Sequence, residues 1–593
     1  MDSVIPVVAG GLLALVTWLA LLAILSLTGI VICSLFSRST VGLLGSLSIR
    51  RSMWWGLAFF TILVLAASLV TPLGGATAAL FVWIVLIISS VMGALVVRGD
   101  FRRRVVELTV LRSRVWILSA IFIVVIGYFA VAALGPANNY DTGLYHLGAI
   151  GYASDFGTLP GVANLYFPFG YANSHFAMAG WLSSTPWGLE GYRLLNGLVI
   201  ALALADLLAR WARRAVTPGT WALSIGLTVA AFPLVSIADF WVTSPTSDSA
   251  VLVLSIVASA YLVDALVRRD PSDAGVSLIL VALMVAMRPT MIVFAIVVVL
   301  VAFLVTMKSR GHPDAWSMVP RVAVAAGFAA AALGGLQLAR DRMLSGWLVY
   351  PLSVMPVGVP WRAPDPTPFR DATLAAARDP SAPDQFAVAH SWEWIGPWFV
   401  ARWQMWETYM LLGLLVLGAL TWWLVKPPKP RLRRHVLAAL WFPSGAAALA
   451  WFLVSPPSYR FAWGPLVVFA IAPLAATLAD YQLGSGRLET VSRWIPRACA
   501  LVTLGLVLIA FTSRTDYGSM TDERVWSLGV VSIPYVVSPP PPVETSRVLT
   551  EGGVEVLIPV EGDQCWGVYP LCSPLPPASL GFLGADLPSG FTP

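Results

Sequence analysis

Long apolar stretches recur along the chain and alternate with short polar segments. Many of them approach the roughly 20 residues with which an α-helix crosses a bilayer. Because backbone polar groups in lipid must be satisfied within the segment, this pattern predicts a helical bundle. The predicted spans are Leu12 to Phe36, Met53 to Val70, Thr77 to Val97, Val115 to Leu134, Leu194 to Trp211, Trp221 to Phe240, Ala250 to Val267, two within Val276 to Thr306, Val322 to Leu338, Tyr409 to Val425, Val436 to Val454, Phe461 to Leu478 and Ala498 to Thr512.

The apolar run Val276 to Thr306 is too long for one simple span. Arg288 and Pro289 interrupt it with a charge and a helix breaker. We interpret the run as two short helices joined at Arg288, which brings the predicted total to fourteen spans. A single helix would move Lys308 to the other side of the membrane and reverse every later loop.

Composition agrees with an all-α polytopic membrane protein, since 58% of residues are hydrophobic, 11% are charged and the mean hydropathy is +0.79. The net charge of +6 comes largely from basic clusters in alternate loops, such as Arg50-Arg51 and Lys426 to Arg434. Cytoplasmic loops carry an excess of Lys and Arg. This orientation accounts for the charge without a nucleic-acid partner and puts both termini outside the cytoplasm.

The same orientation divides the chain into three parts. Residues 1–114 form an N-terminal three-helix membrane extension, and residues 115–513 form the transmembrane core. The core carries two large extracytoplasmic loops, 135–192 and 341–407. Residues 514–593 form an extracytoplasmic tail, in which Arg547 to Leu549 and Val554 to Ile558 are strand-like.

Cys565 and Cys572 lie close together in this tail, on the oxidising side of the membrane. Two cysteines without a neighbouring histidine make a poor zinc site, so we predict a disulfide between them. Cys33 and Cys499 fall in or beside predicted spans, where a buried thiol is ordinary.

The loop 135–192 carries the strongest signal for chemistry. Its run Asn138-Asn139-Tyr140-Asp141-Thr142-Gly143-Leu144-Tyr145-His146 follows a predicted span directly, and aromatic residues continue through it to Trp181. This composition is typical of elements that lie along a bilayer surface. Asp141 has two interpretations, which can coexist: an N-cap of the following helix, or a general base at the membrane face.

Four further residues are candidates for binding. His146 and His175 are either interfacial histidines or, with Asp141, part of a metal site whose spacing matches no compact motif. Arg288 either snorkels to the interface or binds a phosphate. Arg460, which starts a span, is either an interfacial anchor or a second phosphate contact.

The loop 341–407 is rich in tryptophan and also contains His390 and Glu393. Its aromatic rings suit either carbohydrate stacking or anchoring at the membrane interface. The tryptophans are Trp347, Trp361, Trp392, Trp394, Trp398, Trp403 and Trp406.

In these residues the chain resembles the GT-C superfamily of integral-membrane glycosyltransferases. It resembles more closely an uncharacterised bacterial family of polytopic membrane proteins. The resemblance covers most of the chain from Val115 onward. It rests on Tyr140-Asp141 to His146 after a span, Arg288-Pro289-Thr290, Gly346-Trp347-Leu348-Val349-Tyr350-Pro351, Tyr459-Arg460-Phe461 and the Cys565 to Cys572 tail.

The resemblance implies transfer of a hexosyl or pentosyl group from a polyprenyl-phosphate carrier to an envelope glycan, lipid or protein at the outer face of a bacterial plasma membrane. Asp141 would be the catalytic base. Arg288 and Arg460 would hold the phosphate, and His146, His175 and Tyr459 would contribute to substrate binding. Asp141 lacks the paired acid of an Asp-x-Asp or Glu-x-Asp motif, so we expect no metal or other cofactor.

A transporter or flippase of lipid-linked saccharides is the main alternative. Transporters tend to have related halves and polar sites near the bilayer midplane. This chain has no evident internal repeat, and its candidate residues collect at one predicted face. A non-catalytic envelope scaffold is a third interpretation, and it would tolerate Asp141→Asn.

Overall fold

The computed structural model describes residues 4–35, 49–109, 113–212, 217–307, 313–425, 430–481, 488–513 and 516–593. The predicted cytoplasmic loops around Arg213, Lys308 and Lys426, and the start of the tail at Arg514, lie outside these residues.

Helices account for most of the described chain. The first half contains α1 (Val4–Leu35), α2 (Ile49–Ser68), α3 (Ala76–Thr109), α4 (Ser113–Ala132), α5 (Leu147–Phe156), α6 (Ser174–Leu182), α7 (Leu194–Trp211), α8 (Pro218–Ser236), α9 (Ser247–Arg268) and α10 (Pro271–Met287). A five-residue π-helical turn, Thr142–His146, joins the end of α4 to α5.

The second half continues with α11 (Ile292–Met307), α12 (Pro313–Ser345), α13 (Thr367–Arg378), α14 (Gln385–His390), α15 (Ile395–Trp403), α16 (Trp406–Leu424), α17 (Pro430–Val454), α18 (Trp463–Tyr481) and α19 (Leu488–Ser513). The tail then forms three two-stranded antiparallel sheets. They pair β1 (Asp522–Leu528) with β2 (Val531–Val537), β3 (Thr545–Leu549) with β4 (Glu555–Pro559), and β5 (Gly581–Phe582) with β6 (Phe591–Thr592).

Ten helices of the described chain are long and apolar enough to cross a membrane. Four more apolar helices are shorter, namely Trp116–Ala132, Pro271–Met287, Trp463–Ala479 and Arg497–Ser513. The all-α polytopic class is therefore confirmed. A helix lies at each of the fourteen predicted positions, but the count of fourteen spans stays a prediction.

Helices α9 and α10 form the centre of the bundle. Apolar side chains on every side of α9 are buried, as expected for a helix that is surrounded by others. The two helices are consecutive and joined by a short connection around Asp270, so they run antiparallel. The start of α9 and the end of α10 therefore lie at the same end of the bundle, and the connection lies at the other.

A buried ionic cluster joins α2 and α7 to the end of this central hairpin that carries the connection. Arg50 Nη2 lies 3.0 Å and Arg51 Nε 2.7 Å from Oδ1 of Asp273. Arg210 Nη1 lies 2.6 Å from Oδ2 of Asp264. Charges at such depth are costly unless they are paired. The pairing explains how Arg50 and Arg51, which the sequence places at a cytoplasmic face, are accommodated in the interior.

The predicted N-terminal extension is integrated with the rest of the bundle. Trp18 in α1 donates its indole N–H to the carbonyl of Leu194, 2.8 Å away. Trp54 in α2 donates to Oδ2 of Asp206 in α7, also at 2.8 Å. The division at residue 114 stays a prediction about domains, but α1 and α2 pack as parts of one core.

The aromatic residues of the loop 135–192 pack mostly against protein, which corrects the prediction that they lie along a bilayer surface. Tyr152, Phe176 and Trp181 are buried, residues such as Tyr145 and Tyr166 are half-buried, and Tyr140 is 52% exposed. Trp181 packs edge-on against Phe60 of α2, with the ring centres 4.9 Å apart. Much of their apolar area is thus covered by protein, which packs the loop against the helices.

Candidate functional site

The interruption between α10 and α11 has an arginine at its centre. Arg288 is in an extended conformation and is followed by a single 3₁₀ turn, Pro289–Met291, as the charge and proline predicted. Its guanidinium forms an ion pair with Asp248 in the first turn of α9. Asp248 is fully buried and only 16% of the Arg288 side chain is exposed. Arg288 is therefore held in place by a carboxylate and is not a freely snorkelling side chain.

Asp141 pairs with Arg460. The distance from its Oδ2 to Nη1 of Arg460 is 2.9 Å, and the two side chains are 16% and 24% exposed. The Asp141 side chain makes no capping hydrogen bond, so the N-cap interpretation is wrong. Its backbone N–H donates to Oδ1 of Asn139, at 3.0 Å.

The two ion pairs are neighbours, because both of their arginines contact the Phe461 ring. The guanidinium carbons of Arg288 and Arg460 lie 4.8 Å and 4.7 Å from the centre of its ring. Arg288 Nη1 also donates to the carbonyl of Arg460, at 3.4 Å. A cation over an aromatic face is stabilised by the ring quadrupole. Phe461 thus holds two like charges close together, and each charge has its own carboxylate.

This arrangement leaves hydrogen-bond donors for a ligand. An arginine has five N–H groups in a planar fork. In the part of the chain that the structure describes, the polar contacts of this pair involve Nη1 of Arg460 and both Nη groups of Arg288. The donors that are left for a ligand are Nε and Nη2 of Arg460 and Nε of Arg288. Burial disfavours the charge of Arg460, but Asp141 and Asp248 more than offset this and raise its pKa above the usual value. The Arg460 guanidinium is therefore charged at neutral pH.

Asn139 ties the site to its surroundings. Its backbone N–H donates to Oγ of Ser244, at 3.1 Å, and its Oδ1 lies 3.5 Å from Nη1 of Arg460. Ser244 in turn donates to the carbonyl of Asp239, at 2.7 Å, and its own carbonyl accepts from Nδ2 of Asn196, at 2.9 Å. Elements from α7 and the loop before α9 therefore fix the backbone that carries Asp141.

His146 and His175 are both buried beside this cluster. The ring of His146 lies 5.0 Å from that of Phe176, the residue after His175. Burial lowers the pKa of His146 to about 3, with Asp248 opposing the shift and Arg460 and Arg288 adding to it. Burial also lowers the pKa of His175 to about 3, and the nearby His146 adds to this shift. Both imidazoles are neutral at pH 7.

Tyr459 is turned into an aromatic cluster. Its ring stacks on Trp451 at 5.9 Å and contacts Trp463 at 6.0 Å. Its hydroxyl shares a 2.7 Å hydrogen bond with Oγ1 of Thr408. The predicted binding residues Arg288 and Arg460 thus meet Asp141, whereas Tyr459 supports the turn from the other side.

The tryptophan-rich loop contributes the outer half of that cluster. Trp398 is buried, and its indole N–H donates to the carbonyl of Pro457, at 2.9 Å. Trp394 is buried under the guanidinium of Arg378, at 4.6 Å. Trp392 and Trp403 remain exposed, and Nε2 of His390 pairs with Asp371 at 3.0 Å.

The tail closes over the π-helical turn. The backbone N–H of Trp566 donates to the carbonyl of Gly143, at 2.9 Å, and Gln564 Nε2 donates to the carbonyl of Tyr140, at 2.6 Å. A Cβ on Gly143 would lie 2.5 Å from the Trp566 indole, so only glycine fits there. The predicted disulfide between Cys565 and Cys572 is present in the structure. It closes the short loop that contains Trp566.

Sequence reasoning missed Asp248 and the role of the tail. Asp248 had a detectable signal, because an acid in the first turn of an apolar helix requires a partner. The contact between Trp566 and Gly143 had none, since the two residues are more than 400 positions apart in the sequence. Among the residues that the structure describes, no three His, Cys, Asp or Glu side chains are grouped to hold a metal ion.

The fold and this site define an all-α polytopic membrane protein with a paired aspartate–arginine cluster at the ends of its central helices. The sequence model of a family described as a domain of unknown function, DUF8201, matches residues 12–467. The chain belongs to this family, and the match includes Asp141, Asp248, Arg288 and Arg460. No curated protein and no solved structure matches the chain.

Proposed function

We propose that the protein is a membrane glycosyltransferase of about fourteen spans, with a GT-C-like core that follows the three-helix N-terminal extension. It moves a hexosyl or pentosyl group from a polyprenyl-phosphate carrier to a cell-envelope acceptor at the extracytoplasmic face of a bacterial plasma membrane. The observation that carries the proposal is that Asp141, Arg288 and Arg460 lie in one partly exposed cluster.

The two arginines suit a lipid-linked phosphate. Guanidinium groups bind phosphate oxygens through paired N–H donors and keep their charge at any physiological pH. When the bond between the anomeric carbon and the phosphate oxygen breaks, the phosphate gains negative charge. Fixed cations at that position stabilise the transition state more than the ground state.

Asp141 supplies the base. The acceptor hydroxyl attacks the anomeric carbon, its proton passes to Oδ2 of Asp141, and the polyprenyl phosphate leaves with the bonding electron pair. Without donor, Asp141 is paired with Arg460. A donor phosphate competes for that guanidinium, which frees the carboxylate to accept a proton.

Asp248 acts as a positioning residue. It is buried, pairs with Arg288 and lies in the first turn of α9, which is surrounded by other helices. A rigid partner fixes the direction of the guanidinium fork. Arg288 therefore needs little reorganisation when phosphate binds, which favours transition-state stabilisation.

Charge placement supports an enzyme over the alternative of a lipid-linked saccharide transporter. The ionic clusters that involve α9 and α10 lie at the two ends of these helices: Asp248 with Arg288, and Asp264 and Asp273 with their arginines. Asp248 and Asp264 are about 24 Å apart along an ideal helix. Transporter sites lie near the midplane between such ends.

The proposal is tested with purified protein in lipid nanodiscs. The substrates are radiolabelled polyprenyl-phosphate hexose or pentose and a bacterial envelope-lipid extract as acceptor. We expect labelled product and release of polyprenyl phosphate. Asp141→Asn should lower the rate about 100-fold or more, because a general base is lost.

Asp371→Asn is the matched control, since this aspartate is also ion-paired in an outer loop but lies outside the cluster. We expect it to retain wild-type activity. Movement of the labelled lipid across a proteoliposome bilayer without covalent transfer would instead support the transporter. Unchanged transfer by Asp141→Asn would refute the assigned base.

A further inference from the structure

A group of polar side chains beside the ionic cluster is buried without partners. Each residue of the group is at most 3% exposed. Their unpartnered atoms, judged against all described residues, are Asn139 Nδ2, Thr142 Oγ1, His146 Nδ1, Ser174 Oγ, and Nδ1 and Nε2 of His175. Leaving a buried donor or acceptor unsatisfied is costly. Six such atoms in one short region are therefore a strong sign of a binding site.

These residues belong to two adjacent segments. Thr142 and His146 are one turn apart on the π-helical turn, and Ser174 and His175 begin α6. The segments meet where the His146 ring contacts Phe176, at 5.0 Å between ring centres. We call this group, together with Asn139, the histidine pocket.

The histidine pocket adjoins both ion pairs. Asn139 Oδ1 lies 3.5 Å from Arg460 Nη1 and accepts the backbone N–H of Asp141. On the other side, Asn173 Nδ2 donates to Oγ of Ser247, the neighbour of Asp248, at 3.2 Å. The unpartnered polar atoms therefore lie directly beside the proposed phosphate site.

The five side chains that define the pocket are uncharged at pH 7, whereas the groups beside them include the two ion pairs and Arg340, which donates to the carbonyl of Asn173 at 3.4 Å. Desolvation keeps both imidazoles neutral at pH 7, so each has one N–H donor and one nitrogen acceptor. The hydroxyls of Thr142 and Ser174 also donate and accept. Sugar hydroxyls have this same dual character. A carboxylate or an ammonium group would need a counter-charge that the five residues do not provide.

We propose that the histidine pocket binds the hydroxyl groups of an uncharged sugar residue, next to the arginines that bind its phosphate. The proposal rests on the proposed function and deepens it, because it names a neutral hexose or pentose as the transferred group. The nearby rings of Tyr145 and Phe176, whose centres are 6.1 Å apart, form an apolar wall beside these polar atoms.

The test compares two ligands, polyprenyl phosphate and polyprenyl-phosphate hexose, bound to the full-length protein in nanodiscs. Affinity is measured by native mass spectrometry. We expect His175→Phe to weaken the sugar-bearing lipid at least tenfold and the sugar-free lipid less than twofold. His175→Gln, which restores a donor and an acceptor, should recover part of the loss. Arg460→Gln should weaken both lipids.

The exposed His390 provides the control, and His390→Phe should change neither affinity. Equal effects of His175→Phe on both lipids, or no effect on either, would overturn the assignment of the pocket to a sugar and leave phosphate binding intact. If the wild-type protein binds neither lipid, the proposed function fails and this inference fails with it. Tighter binding of a uronic-acid lipid than of the hexose lipid would also overturn the neutral-sugar assignment.

Discussion

Arg460 Nη1 lies 2.9 Å from Asp141 Oδ2, which joins the turn before α18 to the segment after α4. The pair brings together two segments that are far apart in the sequence. It is partly exposed, so its strength falls between that of a surface pair and that of a buried one.

We expect Asp141→Asn and Arg460→Gln to show a coupling of about 1–2 kcal/mol in a double-mutant cycle. The measurement is thermal unfolding in detergent. Asp141→Asn combined with Arg547→Gln is the control, because Arg547 pairs with Glu555 in the tail and should be additive. Full additivity of the Asp141 and Arg460 changes would show that the contact does not form in solution.

The packing of the tail predicts the outcome of a single added methyl group. Gly143→Ala should destabilise the protein by about 1–3 kcal/mol, because its Cβ would overlap the Trp566 indole. Adding Trp566→Ala should relieve the overlap and recover stability relative to Gly143→Ala. Gly127→Ala is the matched control, since no described atom beyond its own stretch of helix lies within 4 Å of its Cβ position. A wild-type melting temperature for Gly143→Ala would contradict the tail contact.

The two buried histidines predict acid sensitivity. Their folded pKa values of about 3 lie below the ordinary 6.5, so the unfolded chain binds more protons between these limits. The free energy of unfolding therefore has its full value above pH 6.5 and decreases as the pH falls below it. The slope is up to about 1.4 kcal/mol per pH unit for each histidine.

Melting temperatures between pH 5 and 8 measure this slope. The double variant His146→Phe/His175→Phe should have a shallower dependence below pH 6.5 than the wild type, whatever its absolute stability. Phe176→Leu is the control, because Phe176 lies beside His146 but has no titratable group, and it should keep the wild-type slope. An unchanged slope in the double variant would show that these histidines are not held neutral.

The buried ionic cluster of Asp273, Arg50 and Arg51 lies at the start of α10, whereas Arg288 follows its end. We expect this cluster to stabilise the fold. Asp273→Asn should destabilise the protein by about 3 kcal/mol or more, because it leaves Arg50 and Arg51 without a shared carboxylate. Glu555→Gln is the control, since its pair with Arg547 is exposed and contributes little. Comparable melting temperatures for these two variants would mean that the cluster is hydrated.

Much of the fold could be predicted from hydrophobic periodicity alone. A helix occurs at every predicted span position, and the interruption at Arg288 was visible because a charge and a proline cannot continue an apolar helix. Strands near Arg547 to Leu549 and Val554 to Ile558 were also visible. These features depend on local sequence, which is why one sequence is enough to find them.

The candidate site could be found only by combining the sequence with the tertiary structure. Asp141, Arg288 and Arg460 attracted attention because ionisable groups at the ends of apolar helices require an explanation. The sequence did not reveal that Asp141 pairs with Arg460, that Asp248 pairs with Arg288, or that both guanidinium groups contact the Phe461 ring. Side-chain pairing depends on which helices become neighbours.

The sequence by itself determined the membrane class, the positions of the helices and the residues whose charge needed partners, because bilayer solvation acts on each segment separately. Only the tertiary structure decided that the loop aromatics pack mostly against protein, that Trp566 packs on Gly143 and that Asp141 meets Arg460. Those contacts form between elements that are distant in the sequence, so no local sequence pattern predicts them. Asp141, for which the local pattern allowed both a helix cap and a general base, is in the folded chain one half of an ion pair.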